Sequence, residues 1–164
     1  AGALPPDHKS AMNDFTRRRL IQYLDARPDV AFAYLFGSAA QDREGLESDV
    51  DVALYLRDPS LGPSDRPPLA VEEQKSYPNE RQLWREIESI VDREVDLLIL
   101  NRAPATVAAP AVTEGTLLVE HDEDLKTRFM LAATMQAEDF RHDLEDFIAI
   151  RRRSQALSEQ DHAQ

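Results

Sequence analysis

Two apolar runs restrict this chain more than any other feature. The first, VAFAYLFGS (30–38), is β-branched and aromatic, apolar on both faces, and closes on Gly37-Ser38. It reads as a buried strand. The second, SDVDVALYL (48–56), alternates, with Val50, Val52, Leu54 and Leu56 on one face and Asp49, Asp51, Ala53 and Tyr55 on the other. Carboxylates on such a strand are costly unless something cationic meets them. A third short run, EVDLLIL (94–100), again sets a carboxylate, Asp96, where an apolar residue is expected.

Helical periods fill most of the remainder. HKSAMNDFTRRRLIQYLDA (8–26) places Met12, Phe15, Leu20 and Leu24 at helical spacing before Pro28. ERQLWREIESIV (80–91) carries an inward stripe of Leu83, Ile87 and Ile90 or Val91 beside Trp84. A short helix is predicted from Pro104 to about Thr113, then a fourth strand, TLLVE (116–120), after Gly115. One long amphipathic helix follows from Glu123 to about Arg153, with Phe129, Ala132, Ala133, Phe140, Leu144, Phe147 and Ile148 near one side. Residues 57–79 hold five of the ten prolines and no period, which predicts a long mobile loop, and residues 155–164 read as a polar, frayed tail. The expected fold class is α/β (α+β): a mixed central sheet of about four strands with helices packed on it, in one domain spanning 1–164.

Composition narrows the function classes. The formal net charge of −12 repels a phosphate backbone, so direct nucleic-acid binding is not expected, whereas a basic partner or a ligand arriving with its own cations suits it. The chain has no cysteine, which leaves oxygen donors as its resource for a metal. No run is long enough for a membrane span and nothing at the start resembles a signal peptide, so a cytoplasmic location is the expectation. His8, His121, His142 and His162 show no ligand spacing.

The aspartates point to phosphoryl chemistry. Two residues apart on one strand, Asp49 and Asp51 project from one face, roughly 7 Å apart at Cα. Asp96 on an adjacent strand can complete a site for two metal ions, the standard clamp for phosphoryl transfer. Hard oxygen ligation suits Mg²⁺. Gly37 allows close backbone approach to phosphate oxygens, and Ser38 adds a hydroxyl and an N–H.

Gly37-Ser38, ten intervening residues, Asp49-Val50-Asp51, and then Asp96 in VDLLIL together resemble the DNA polymerase beta-type nucleotidyltransferase superfamily. The chain length is similar to that of its minimal nucleotidyltransferases, the MNT proteins. That resemblance implies Mg²⁺-dependent transfer of a nucleoside monophosphate from an NTP to a hydroxyl, with release of pyrophosphate. Asp49 and Asp51 would bind both metals. Asp96 would bind the catalytic metal and help deprotonate the acceptor, and Gly37 and Ser38 would contact the phosphates. The segment AAQDREG (39–45) departs from the family, setting Gln41-Asp42 where Ala-Arg-Gly is frequent.

Among such proteins the favoured match is an antitoxin that attaches AMP, from ATP, to a tyrosine of a HEPN-family ribonuclease toxin. The acidic balance suits docking on a basic partner. Two alternatives stand beside it: a small-molecule, aminoglycoside-type nucleotidyltransferase, completed by a dimer, and an antitoxin that binds its partner with an idle site. Solvated helix faces account for Arg17–Arg19 and Arg151–Arg153, and solvent exposure for Glu94. Phe129, Phe140 and Phe147 are expected to pack the closing helix.

Overall fold

The computed structural model describes residues 12–37, 49–58, 60, 71 and 74–162. Its elements are α1 (Asp14–Asp25), β1 (Val30–Phe36), β2 (Val50–Leu56), α2 (Glu80–Val91), β3 (Val95–Ile99), α3 (Ala105–Glu114), β4 (Thr116–Glu120) and α4 (Glu123–His162). A single 3₁₀ turn, Leu100–Arg102, links β3 to α3. The strands form one mixed sheet in the order β3-β2-β1-β4. β1 is antiparallel to both its neighbours, and β2 and β3 run parallel.

The doubly apolar β1 lies near the middle of this sheet because both its faces are covered. On one face Leu20 and Leu24 of α1 and Leu83, Ile87 and Val91 of α2 pack on Ala33, Leu35, Val52 and Leu54. On the other, Ala108, Ala111 and Val112 of α3, with Leu125 and Ala133 of α4, cover Phe32, Tyr34, Ala53 and Tyr55. There the Phe32 and Tyr55 rings stack at 5.1 Å, and Phe129 packs on them at 5.9 and 5.3 Å. The alternation read from β2 therefore divides its side chains between two helical layers, and Asp51 falls on the α3/α4 side.

Local chemistry sets the element ends. Asn13 caps α1 by accepting the Thr16 N–H at 2.8 Å. Asp92, in the left-handed region at φ 56°, turns the chain from α2 into β3. Buried Asn101 accepts the Leu56 N–H and donates to the Leu56 carbonyl, both at 2.8 Å, so the last residue of β2 keeps its hydrogen bonds where β3 has already turned away. Arg102 pairs with Glu80 and donates to the Lys75 carbonyl at 3.1 Å, pinning that same turn to the start of α2.

Several expectations shift. The first helix starts at Asp14, and Phe15 faces solvent, 70 % exposed, with the Arg19 guanidinium 5.9 Å above its ring. Helical spacing marks a face, but it does not say what covers that face, and Phe15 stays exposed. Residues 57, 58, 60, 71 and 74–79 contribute no helix or strand, and the rest of the 57–79 segment lies outside the described residues. The last helix does not stop near Arg153 but runs to His162, through most of the segment read as a tail. Phe140 and Phe147, expected to pack, are 56 % and 55 % exposed; Phe140 only lines an open groove beside Pro110 and Thr113 of α3. Among the described residues no helix is long and apolar enough to cross a membrane.

Candidate active site

One end of the sheet gathers the chemistry-bearing residues. Phe36, the last residue of β1, is the antiparallel partner of Asp51. Asp51 is in turn the parallel partner of Asp96, and Val50 of Val95. Residues in register on neighbouring strands stand about 4.8 Å apart and point to the same face, so the Asp51 and Asp96 carboxylates leave the sheet side by side. Asp49, exposed at the entry to β2, shares their face by strand parity.

Gly37 closes the corner. Its φ of +69° is a conformation glycine adopts without steric cost. A Cβ placed there would lie 3.2 Å from Asp51 Cγ and would overlap Asp51 Oδ2, so the carboxylate rests in the space that the missing side chain leaves. Gly115 gives the corner its third wall. A side chain there would meet the Leu35 carbonyl at 2.9 Å and Phe36 Cβ at 3.3 Å, so its absence lets the end of α3 close onto the end of β1. Ser38 lies outside the described residues, as does the segment 39–48 that connects this corner to Asp49.

Helix α2 fixes the third aspartate from outside. Trp84 Nε1 donates to the Val95 carbonyl at 2.9 Å, and the Val95 N–H donates to Glu88 Oε1 at 3.4 Å. The residue before Asp96 is thus tied on both backbone groups, which sets the direction in which Asp96 leaves the sheet. Sequence reasoning placed Trp84 beside the inward stripe and gave Glu88 no part. The legible signal was an indole on a surface helix turn, which keeps its N–H for a polar partner. Glu94 is exposed, and its carbonyl accepts the Val50 N–H at 3.0 Å.

The geometry supplies adjacency, not a finished chelate. Among the described residues no three carboxylate or imidazole groups stand close enough to hold a metal ion. Carboxylates repel one another, so drawing these three together is work for a cation. Their donor chemistry fits a hard divalent ion: oxygen only, on adjacent rigid strands, with one carboxylate seated against a glycine.

The family model of the polymerase beta nucleotidyltransferase domain matches residues 18–124, from α1 to the start of α4. The chain belongs to the polymerase beta nucleotidyltransferase family. Every candidate site residue lies inside that nucleotidyltransferase domain. No curated protein sequence matches the chain. Solved structures share its fold. A MntA–HepT toxin–antitoxin complex is 20 % identical with a TM-score of 0.58, covering 84 % of this chain and 97 % of the other. A toxin–antitoxin structure with AMP-PNP is 23 % identical with a TM-score of 0.57, over 84 % of this chain and 96 % of that one. A tri-AMPylated Shewanella oneidensis HEPN toxin in complex with MNT antitoxin is 20 % identical with a TM-score of 0.56, covering 82 % and 93 %. At these identities the likeness is one of fold.

Proposed function

We propose that the domain moves AMP from ATP onto a tyrosine hydroxyl of a HEPN-family toxin, and so acts as its antitoxin. The observation that carries the proposal is the register of Asp51 with Asp96 beside Gly37, inside a nucleotidyltransferase domain. The choice of acceptor is supported by the company the fold keeps, which includes an AMP-PNP complex and an AMPylated HEPN toxin.

In this reading Gly37 and Ser38 present backbone N–H groups to the triphosphate, since glycine without a Cβ allows phosphate oxygens to approach. Asp49, Asp51 and Asp96 hold two Mg²⁺ ions, which supply charge neutralisation at the phosphates and Lewis-acid activation of the acceptor oxygen. Asp96, the most laterally placed of the three, accepts the proton that the tyrosine hydroxyl loses. The tyrosine oxygen forms a bond to the α-phosphorus, the bond from that phosphorus to the bridging oxygen breaks, and pyrophosphate departs with the electron pair. Positioning and charge stabilisation account for the rate in such a transfer, and Asp51 and Asp96 meet that need from within strands, with Asp49 one residue before β2.

The test is direct. The chain is incubated with Mg²⁺, ATP labelled at the α-phosphate and a HEPN-family partner, beside an Asp51→Asn control. Label on the partner's tyrosine, lost in the control, is the expected result. Label that appears on an aminoglycoside and never on protein replaces this reading with small-molecule transfer.

A further inference from the structure

Asp51 and Asp96 are held unequally. Asp51 lies on β2, which has β1 on one side and β3 on the other. Asp96 is the second residue of β3, a five-residue strand at the edge of the sheet with β2 as its one neighbouring strand. The first residues of an edge strand are where fraying begins, because the backbone groups on the open side have no strand to pair with. A metal ligand placed there needs another hold.

Helix α2 supplies it. The Glu94 carbonyl accepts the Val50 N–H at 3.0 Å, so the backbone groups of residues 94 and 96 face β2 and those of Val95 face outward. On the open side both groups of Val95 meet side chains of α2. The Trp84 indole N–H donates to the Val95 carbonyl at 2.9 Å, and the Val95 N–H donates to Glu88 Oε1 at 3.4 Å. Trp84 and Glu88 stand one helical turn apart, beside the stripe of Leu83, Ile87 and Val91 that packs under the sheet. One helix therefore covers a face of the sheet and closes its edge at the residue bonded to Asp96. The Trp84 ring is 46 % exposed, so burial alone does not explain an indole at this position.

We propose that Trp84, with Glu88, is a positioning residue for Asp96, holding the start of β3 so that the carboxylate meets a metal ion beside Asp51. The role rests on the metal-dependent reading proposed above and adds to it two side chains that act through the Val95 backbone. Groups that hold a metal ligand in place are worth about 10–100-fold in metal affinity or activity. Trp84, with the shorter bond, carries the larger share.

Mn²⁺ affinity, read from the electron paramagnetic resonance of the free ion, tests this on the full chain without turnover. Trp84→Phe keeps an aromatic ring and loses the N–H, and it is expected to weaken Mn²⁺ binding about tenfold. Glu88→Ala is expected to weaken it less. Glu88→Gln still offers an oxygen to the Val95 N–H and should stay within about twofold of the parent. Tyr23→Phe is the control for stability alone, since it removes the bond from the Tyr23 hydroxyl to Glu86 that ties α2 to α1. Its Tm is expected to fall as far as that of Trp84→Phe, by about 2–4 °C, with Mn²⁺ affinity unchanged. Asp96→Asn separates the two readings. If it leaves Mn²⁺ affinity at the parent's value, the metal site is refuted and the positioning role falls with it. If it weakens binding while Trp84→Phe does not, the metal site stands and the positioning role is refuted. A loss in Trp84→Phe that Tyr23→Phe matches also overturns the role, because lowered stability then explains both.

Discussion

Gly37→Ala separates two consequences that most active-site substitutions confound. Alanine at a φ of +69° costs roughly 1–2 kcal/mol for its left-handed backbone. In a domain of this size each kcal/mol lowers Tm by about 2–4 °C, so a fall of about 2–8 °C is expected. The new methyl also lands on Asp51 Oδ2 and 3.2 Å from Cγ. A carboxylate can swing aside at little cost to stability, yet this oxygen is the one that the proposed chemistry needs in place. A displacement of about 1 Å in a positioned group costs on the order of a hundredfold in rate. The assay is transfer of α-phosphate label per minute, read beside a melting curve on the same sample. The expected result is a modest loss of Tm with a loss of activity near two orders of magnitude. Activity within twofold of the parent, at the lowered Tm, would refute the claim that Asp51 acts from beside this glycine.

Asp49→Asn, Asp51→Asn and Asp96→Asn should each abolish transfer while leaving the metal-free Tm unchanged or slightly raised, since neighbouring carboxylates repel; a melting curve and the label assay check both halves. Asn101→Ala removes both partners of the buried Leu56 backbone groups and should cost about 2–4 kcal/mol, measured by urea unfolding. Glu80→Gln should cost about 1–2 kcal/mol near neutral pH through loss of the charged bond to Arg102. The Arg102 hydrogen bond holds the Glu80 carboxyl below its ordinary value of 4.5, so its stabilisation is present above that value and fades as pH falls through the lowered one. The Tm gap between parent and variant should therefore close as the pH drops below about 4.5.

Strand parity carried most of what the sequence revealed of the site. It placed Asp49 and Asp51 on one face of β2 and opposed them to Val50 and Val52, and the two packed layers follow that division. The pairing of Phe36 with Asp51 was not legible, because it depends on antiparallel register across the long connection from Gly37 to Asp49. The same limit applied to Trp84 and Glu88, whose bonds to Val95 arise from where α2 lies on the sheet. Helical period identified an apolar stripe on the last helix but not what covers it. Phe129 meets Phe32 and Tyr55, whereas Phe140 and Phe147, on the same stripe, stay more than half exposed.

Crystals of the chain grown with Mn²⁺ and AMP-PNP offer the most direct measurement, since Mn²⁺ scatters anomalously and takes the oxygen ligands that suit Mg²⁺. Anomalous peaks within bonding distance of Asp49, Asp51 and Asp96, with the triphosphate against Gly37, are the predicted result. A nucleotide bound elsewhere, with no peak at the paired ends of β2 and β3, would contradict the account.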